Sequence, residues 1–348
     1  MTVRAAAIRF SMKSRMGAGV LALVLLFVAL WLGAAIGETS IPLDVVAKTV
    51  ANRLWYAGYP LDPIDEGIVW SYRLSRAVVA ACCGAALALS GVVLQSLLRN
   101  SLADPYILGI SAGASTGAVS VAILGIGAGI LTLSFGAFIG AIVAFALVAM
   151  LAMRAGRGNS AIILAGIAGS QLFNALTSFI VTKAANAEQA RGIMFWLLGN
   201  LSGVRWPDVA LALPVCLAGL AVCLWHARAL DAFTFGAESA ASLGIPVRRI
   251  YAVLIGASAM MTAVMVSIVG SIGFIGLVIP HAARMIVGVR HDVLLPAAAL
   301  IGAIFMILAD ILSRTIIPGQ VLPIGVITAL FGAPAFALLL GQKRGHHP

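Results

Sequence analysis

Few residues of this chain are placed to do chemistry, and their positions narrow what that chemistry is. One acid, Asp310, lies well inside an apolar run, with Arg314 four residues on. Residues four apart share a helix face, so a local ion pair is preferred to a proton relay. No GxxxxGK[ST] string occurs, and none of Lys13, Lys48, Lys183 or Lys343 sits in a glycine loop that could cradle phosphate. ATP is not expected to bind here by that route. His226, His281 and His291 fall at or near the ends of apolar runs, and His346 and His347 fall in the tail. None offers a metal ligand in the middle of a run. Cys82, Cys83, Cys216 and Cys223 lie in apolar runs without a CxxC and read as small buried hydrophobes. No nucleophile, base and orienter stand together, which argues against a membrane-embedded enzyme.

The elements that carry these residues are membrane spans. Of 348 residues, 62% are hydrophobic and 10% charged, with mean hydropathy +1.09, where a soluble domain carries about 25% charged residues. The apolar residues come in ten runs, near 17–37, 75–98, 104–124, 130–153, 160–183, 207–227, 250–270, 274–288, 294–313 and 322–341. A span takes about 20 apolar residues. Met16–Gly37 exceeds the usual signal-peptide core of about 7–15 residues, so a retained first helix is preferred to a cleaved signal. The net charge of +10 comes without a basic patch interleaved with aromatics, so nucleic acid is not expected. It fits the positive-inside bias. With the N-terminus inside, Arg99, Arg154, Arg157, Arg228, Arg248, Arg249, Arg284, Arg290, Lys343 and Arg344 all fall on the cytoplasmic side. Glu38, Asp44, Asp62, Asp65, Glu66, Glu188 and Asp208 fall outside, and both termini lie in the cytoplasm.

Two stretches suggest transport. From Arg73 to Gly117 an apolar span meets a polar corner, Arg99–Pro105, and then a second span with Gly109, Gly113 and Gly117. That spacing gives the second span a bare face that another helix can approach closely. The internal segment His226–Ile250 reads as two short helices. Leu230, Phe233 and Gly236 suggest the first and its turn, and Ala237–Leu243 the second, stopped by Gly244 and Pro246. Such a knob could dock a cytosolic partner; the other reading is an amphipathic loop on lipid. Outside, Glu38–Tyr72 is expected to lie on the membrane surface, and Arg191–Trp196 to form a short interfacial helix. ILGISAGAS near Ile107 echoes ILAGIAGSQ near Ile163, too short an echo to build on.

RLSR, GAALALSG and LQSLLRNSLADPYILGISAGA closely resemble the FecCD-type permeases of type II ABC importers for iron siderophores, cobalamin and haem. FWLLGNLSG, GAESAASLGIPV, GFIGLVIPHAAR and VLPIGVITALFGAPAFALLL follow in the family's order. The resemblance implies an all-α polytopic membrane protein with the type II ABC importer permease fold, one domain of ten transmembrane helices over 1–348. It implies a homodimer in lipid of the bacterial inner membrane. Two copies of a cytosolic ABC ATPase would use ATP and Mg, this chain binding no cofactor, and a periplasmic haem- or chelate-binding protein would dock outside. Coupling helices at about 228–248, with Glu238, Ser239, Leu243 and Gly244, would receive the ATPase. Arg73, Arg76 and Arg314 match outward-facing arginines that pair with the binding protein, the other reading being snorkelling at helix ends. Asn100, Leu102, Asn159 and Ser160 align with inner gates; for Asn159 and Ser160, helix capping is an equal reading. Arg191 matches an arginine near the pathway mouth of the haem importers, where it could attract propionates, or could anchor the interfacial helix. Met194, Met260, Met261 and Met265 could line a channel or fill the core. Haem import is the leading expectation. Ferric siderophore or cobalamin import is the alternative, and an ion-coupled secondary carrier a distant one. Ser101 stands where the family usually has proline, which is expected to loosen the corner.

Overall fold

A computed structural model describes residues 12–344, apart from 38, 40, 128–130, 157, 158 and 184–186. Among the described residues the chain is helical, and the β pairing shown is one isolated bridge between Ile317 and Gln320. Helices satisfy their own backbone polar groups, as a spanning segment must in hydrocarbon. Ten long or apolar helices follow the expected runs: α1 (Met12–Ala35), α2 (Ser75–Leu97), α3 (Ile110–Leu124), α4 (Leu133–Ala155), α5 (Asn159–Thr182), α6 (Trp206–Trp225), α7 (Val247–Val269), α8 (Ile275–Val287), α9 (His291–Ser313) and α10 (Ile324–Arg344). Among the described residues six are long and apolar enough to cross a membrane, and α1, α3, α8 and α10 contribute shorter apolar stretches.

Two boundaries differ from the sequence reading. The second span starts well before Ser75. Asp62 accepts the Ile64 N–H at 2.7 Å, Pro63 occupies the first turn, and the helix runs through a π segment, Ile68–Leu74, into α2 without a break. Among the described residues of the preceding segment, Leu43–Trp55 forms a separate helix that buries Val46 and Thr49 and is joined to this lead-in by an Arg53–Glu66 ion pair of 2.8 Å. The third run is shortened instead. Pro105–Leu108 is a 3₁₀ turn closed by left-handed Gly109 (φ 76°), so α3 begins at Ile110. Gly109 therefore ends a turn rather than joining the bare face.

The core forms around α2, which is buried along nearly its whole length and packs on α9, α7, α6 and α8. Small residues make this possible, because close van der Waals packing holds helices together in lipid. Gly84 of α2 lies against the Gly302 backbone of α9, and Gly91 against Gly276 of α8. Gly113 and Gly117 of α3 meet Gly140 and Gly136 of α4, as their spacing predicts. The four cysteines are buried and unbridged. Met261 and Met265 are core side chains, whereas Met194 and Met260 are exposed.

Candidate functional site

At one end of the bundle, Ala227–Phe233 and Ala237–Ser242 form the expected pair of short helices. Gly236 (φ 110°) makes the turn between them, and Gly244 (φ 79°) ends the second before Pro246 opens α7. The first helix is the anchor: Leu230 and Phe233 are buried, and Phe233 sits edge-on to Tyr251 at 5.7 Å. The second faces outward. Ala240 is buried beneath it, while Glu238, Ser239, Leu243 and Gly244 are exposed. An anchored base with an exposed tip can move as a rigid body when something grips the tip.

The polar corner lies at the same end. The Ala103 N–H donates to the Asn100 carbonyl at 3.0 Å, and Asn100 Oδ1 accepts the Leu102 N–H at 2.9 Å. This side-chain turn closes the corner with serine at 101, so proline is not needed there. Asp104 Oδ1 caps the next turn through the Tyr106 N–H at 2.8 Å, and the Tyr106 hydroxyl donates to the Ile272 carbonyl at 2.9 Å. Leu102 is half exposed and Ser160 is exposed at the start of α5. Gly166 of α5 packs on the Ile107 carbonyl, bringing helix and corner together. The Asn159 side chain, His346 and His347 lie outside the described residues.

At the opposite end the arginines are not arranged as expected. Arg73, Arg76 and Arg314 are buried, at 6%, 8% and 6% exposure, not outward-facing. Arg76 Nε donates to Asp310 Oδ1 at 2.6 Å, and Arg314 Nη2 lies 3.1 Å from Asp310 Oδ2. The i,i+4 pair read from the sequence is present, and Arg76 joins it from α2. Arg73 Nη1 donates to the Ala35 carbonyl at 2.6 Å, and Arg314 Nη2 to the Gly33 carbonyl at 2.7 Å. The last carbonyls of α1 have no partner within the helix, and a cation is the natural cap. The cluster thus ties α1, α2 and α9 together, and its guanidinium groups are engaged inside the chain.

One constellation escaped the sequence reading. Ser96 Oγ lies 2.7 Å from His291 Nε2, and His291 Nδ1 lies 2.7 Å from Asp231 Oδ1. Serine, histidine and aspartate in this order resemble a hydrolytic triad. The arrangement lacks what hydrolysis needs. Ser96 is buried in the last turn of α2 and also bonds the Val92 carbonyl at 2.8 Å, so it is not open to a substrate. The three residues lie far apart in sequence, and no short motif marks them.

The FecCD transport family model matches residues 23–342. The chain belongs to the FecCD transport family. This FecCD chain is similar to the cobalamin import system permease protein BtuC of Halobacterium salinarum, with 42% identity over 283 residues, 79% of this chain and 74% of that protein. It is similar to the Fe(3+)-citrate import system permease protein YfmE of Bacillus subtilis, with 38% identity over 280 residues, 80% and 84% of the two chains. A solved structure described as an inward-facing conformation of a metal-chelate type ABC transporter matches with TM-score 0.82 and 29% identity, over 94% of this chain and 99% of that one. The FecCD chain is accordingly an ABC-type membrane transport permease and not an enzyme.

Within this FecCD permease two further features bear on a pathway. Gln171, Asn174, Ser178 and Thr182 are exposed along α5 at spacings of three and four, which places them on one face. Lipid does not favour such a face, but a watery pathway or a second subunit does. Arg191 is exposed on the short helix Ala187–Leu197.

Proposed function

We propose that this FecCD chain is the permease subunit of an ATP-driven importer for bulky metal chelates, working by alternating access. The helix knob carries the reading: its exposed tip suits a cytosolic ABC ATPase, and its buried base passes motion to α2 and α9. Two copies of that ATPase would consume ATP and Mg on a homodimer of this chain, arranged around the polar face of α5. The segment 228–248 would then be the coupling region of one domain spanning 1–348, with Glu238, Ser239, Leu243 and Gly244 at the contact. Leu102 and Asn100, with Asn159 and Ser160 beside them, form the inner gate in this account. An inner-membrane location fits the family, and the charge asymmetry supports an orientation with both termini cytoplasmic. A periplasmic binding protein would dock at the end held together by Arg73, Arg76 and Arg314. Their role there is to shape the surface rather than to present free charges.

Leu243→Asp tests the knob. Leu243 is 72% exposed, so the substitution leaves the fold intact. Co-purifying ATPase is expected to fall about tenfold or more, the scale of losing one interface hot spot, with the melting temperature unchanged. Undiminished ATPase would remove the knob from the account.

The cargo class is supported by relatives whose names carry cobalamin and ferric citrate. Haem is the narrower reading, and the exposure of Arg191 is compatible with it. Arg191→Ala is then expected to lower haem uptake several-fold while ATPase assembly is unchanged. Equal haem uptake by mutant and parent would exclude Arg191 as a haem contact.

A further inference from the structure

The end of α2 is held by three consecutive residues, each bonded to a different element. Gln95 accepts from Arg284 of α8 at 2.6 Å and donates to the Gly276 carbonyl at 3.0 Å. Ser96 meets His291 at the start of α9. The Leu97 carbonyl accepts the Tyr251 hydroxyl of α7 at 2.6 Å. Of these links, the one through Ser96 continues into the knob. Asp231, on the knob's anchoring helix, accepts from His291 twice: from the backbone N–H at 3.0 Å and from Nδ1 at 2.7 Å. Three residues beyond Ser96, Arg99 opens the polar corner, and Asn100 follows it. The continuous path runs Asp231, His291, Ser96, corner.

We propose that Asp231, His291 and Ser96 form a hydrogen-bonded strut that transmits displacement of the knob to the corner at the end of α2. His291 and Asp231 are thus positioning residues for coupling. This rests on the permease reading above.

The chemistry suits the task. His291 is buried, and its ring has a partner on both nitrogens. With the ring neutral, Nδ1–H donates to the Asp231 carboxylate and the Ser96 hydroxyl donates to Nε2. With the ring protonated, Nε2–H donates to Ser96 Oγ, and the serine proton turns to the Val92 carbonyl. The strut is therefore intact in both protonation states. The other charged groups facing the ring are Arg284 and Asp292. Hydrogen bonds to a charged carboxylate are among the strongest and most directional available; the His291–Ser96 link is buried, while the Asp231 carboxylate is 40% exposed. A greasy contact in this place would slide; a bonded chain is pulled.

The four native cysteines are buried, so a Ser101→Cys reporter at the exposed corner labels alone with a water-soluble maleimide. The full complex with its ATPase in proteoliposomes is labelled with and without ATP. In the parent, ATP is expected to change the labelling rate about fivefold or more, the usual range of coupling between sites. In His291→Ala, ATP hydrolysis per assembled complex continues while the ATP-dependent change disappears. His291→Gln, which keeps an arm to Ser96, restores part of it. A structural role alone would reduce the yield of complex without altering the response of what remains. The strut is overturned if His291→Ala and Ser96→Ala both keep the parent's response, or if response is lost only in proportion to assembly. A parent that assembles no ATPase overturns the permease reading, and the strut with it. A parent that assembles and hydrolyses ATP without moving the corner overturns the strut alone.

Discussion

Asp310→Ala is expected to prevent accumulation of folded protein. Asp310 is fully buried, and its carboxylate faces Arg76 and Arg314. Removing one member of a buried ionic group costs about 3–5 kcal/mol, because the remaining charges are left without compensation. A domain's whole stability is about 5–15 kcal/mol. Here the loss falls where three helices meet, and two guanidinium groups share the one acid. The measurement is the yield of monodisperse protein in detergent and its melting temperature. Neutralising the arginines as well, in Asp310→Ala with Arg76→Leu and Arg314→Met, should recover part of the loss, since a well-packed apolar replacement of a buried ionic group is often neutral. Normal yield and melting temperature for Asp310→Ala alone would show that the cluster does not hold the helices.

Gly84→Val is expected to be nearly as damaging, for a reason unrelated to charge. A side chain at 84 would run into the Gly302 carbonyl of α9, a backbone group that cannot rotate away. Overpacking in a core costs about 1–3 kcal/mol where side chains can adjust, and here two helices must separate. Gly256 of α7 provides the contrast: a β-carbon there meets nothing within 4 Å. Gly256→Ala should keep the parent's melting temperature while Gly84→Val loses folded protein. Similar behaviour of the two would mean that α2 and α9 do not approach backbone to backbone.

Much of this architecture is legible in the sequence because lipid simplifies the code. Long uncharged runs between basic and acidic loops mark the spans, and Gly113 and Gly117 mark a close contact that the structure shows. Gly244 and Pro246 mark the end of the knob because each restricts the backbone locally. Less legible is whatever depends on contacts between distant runs. Arg73 and Arg76 look outward-facing from their place before a span. Their burial depends on the π segment Ile68–Leu74 and on carbonyls of α1, neither of which has a local signature. The Asp310–Arg314 pair is legible from their spacing of four, but Arg76, the other partner of Asp310, lies on another helix. The Asp231–His291–Ser96 chain was invisible for the same reason. Ser101 is the reverse case: a departure from the family pattern that suggested a loose corner, where the Asn100 side chain supplies the missing constraint.

ATP-driven uptake into proteoliposomes holding this chain with its ATPase, with the binding protein added outside, tests whether the chain is an importer permease. Cobalamin, a ferric siderophore and haem would be offered separately. Concentrative uptake of at least one chelate is expected, requiring ATP and lost in Leu243→Asp. An assembled complex that hydrolyses ATP yet moves none of the three, or moves one equally well without ATP, would contradict it.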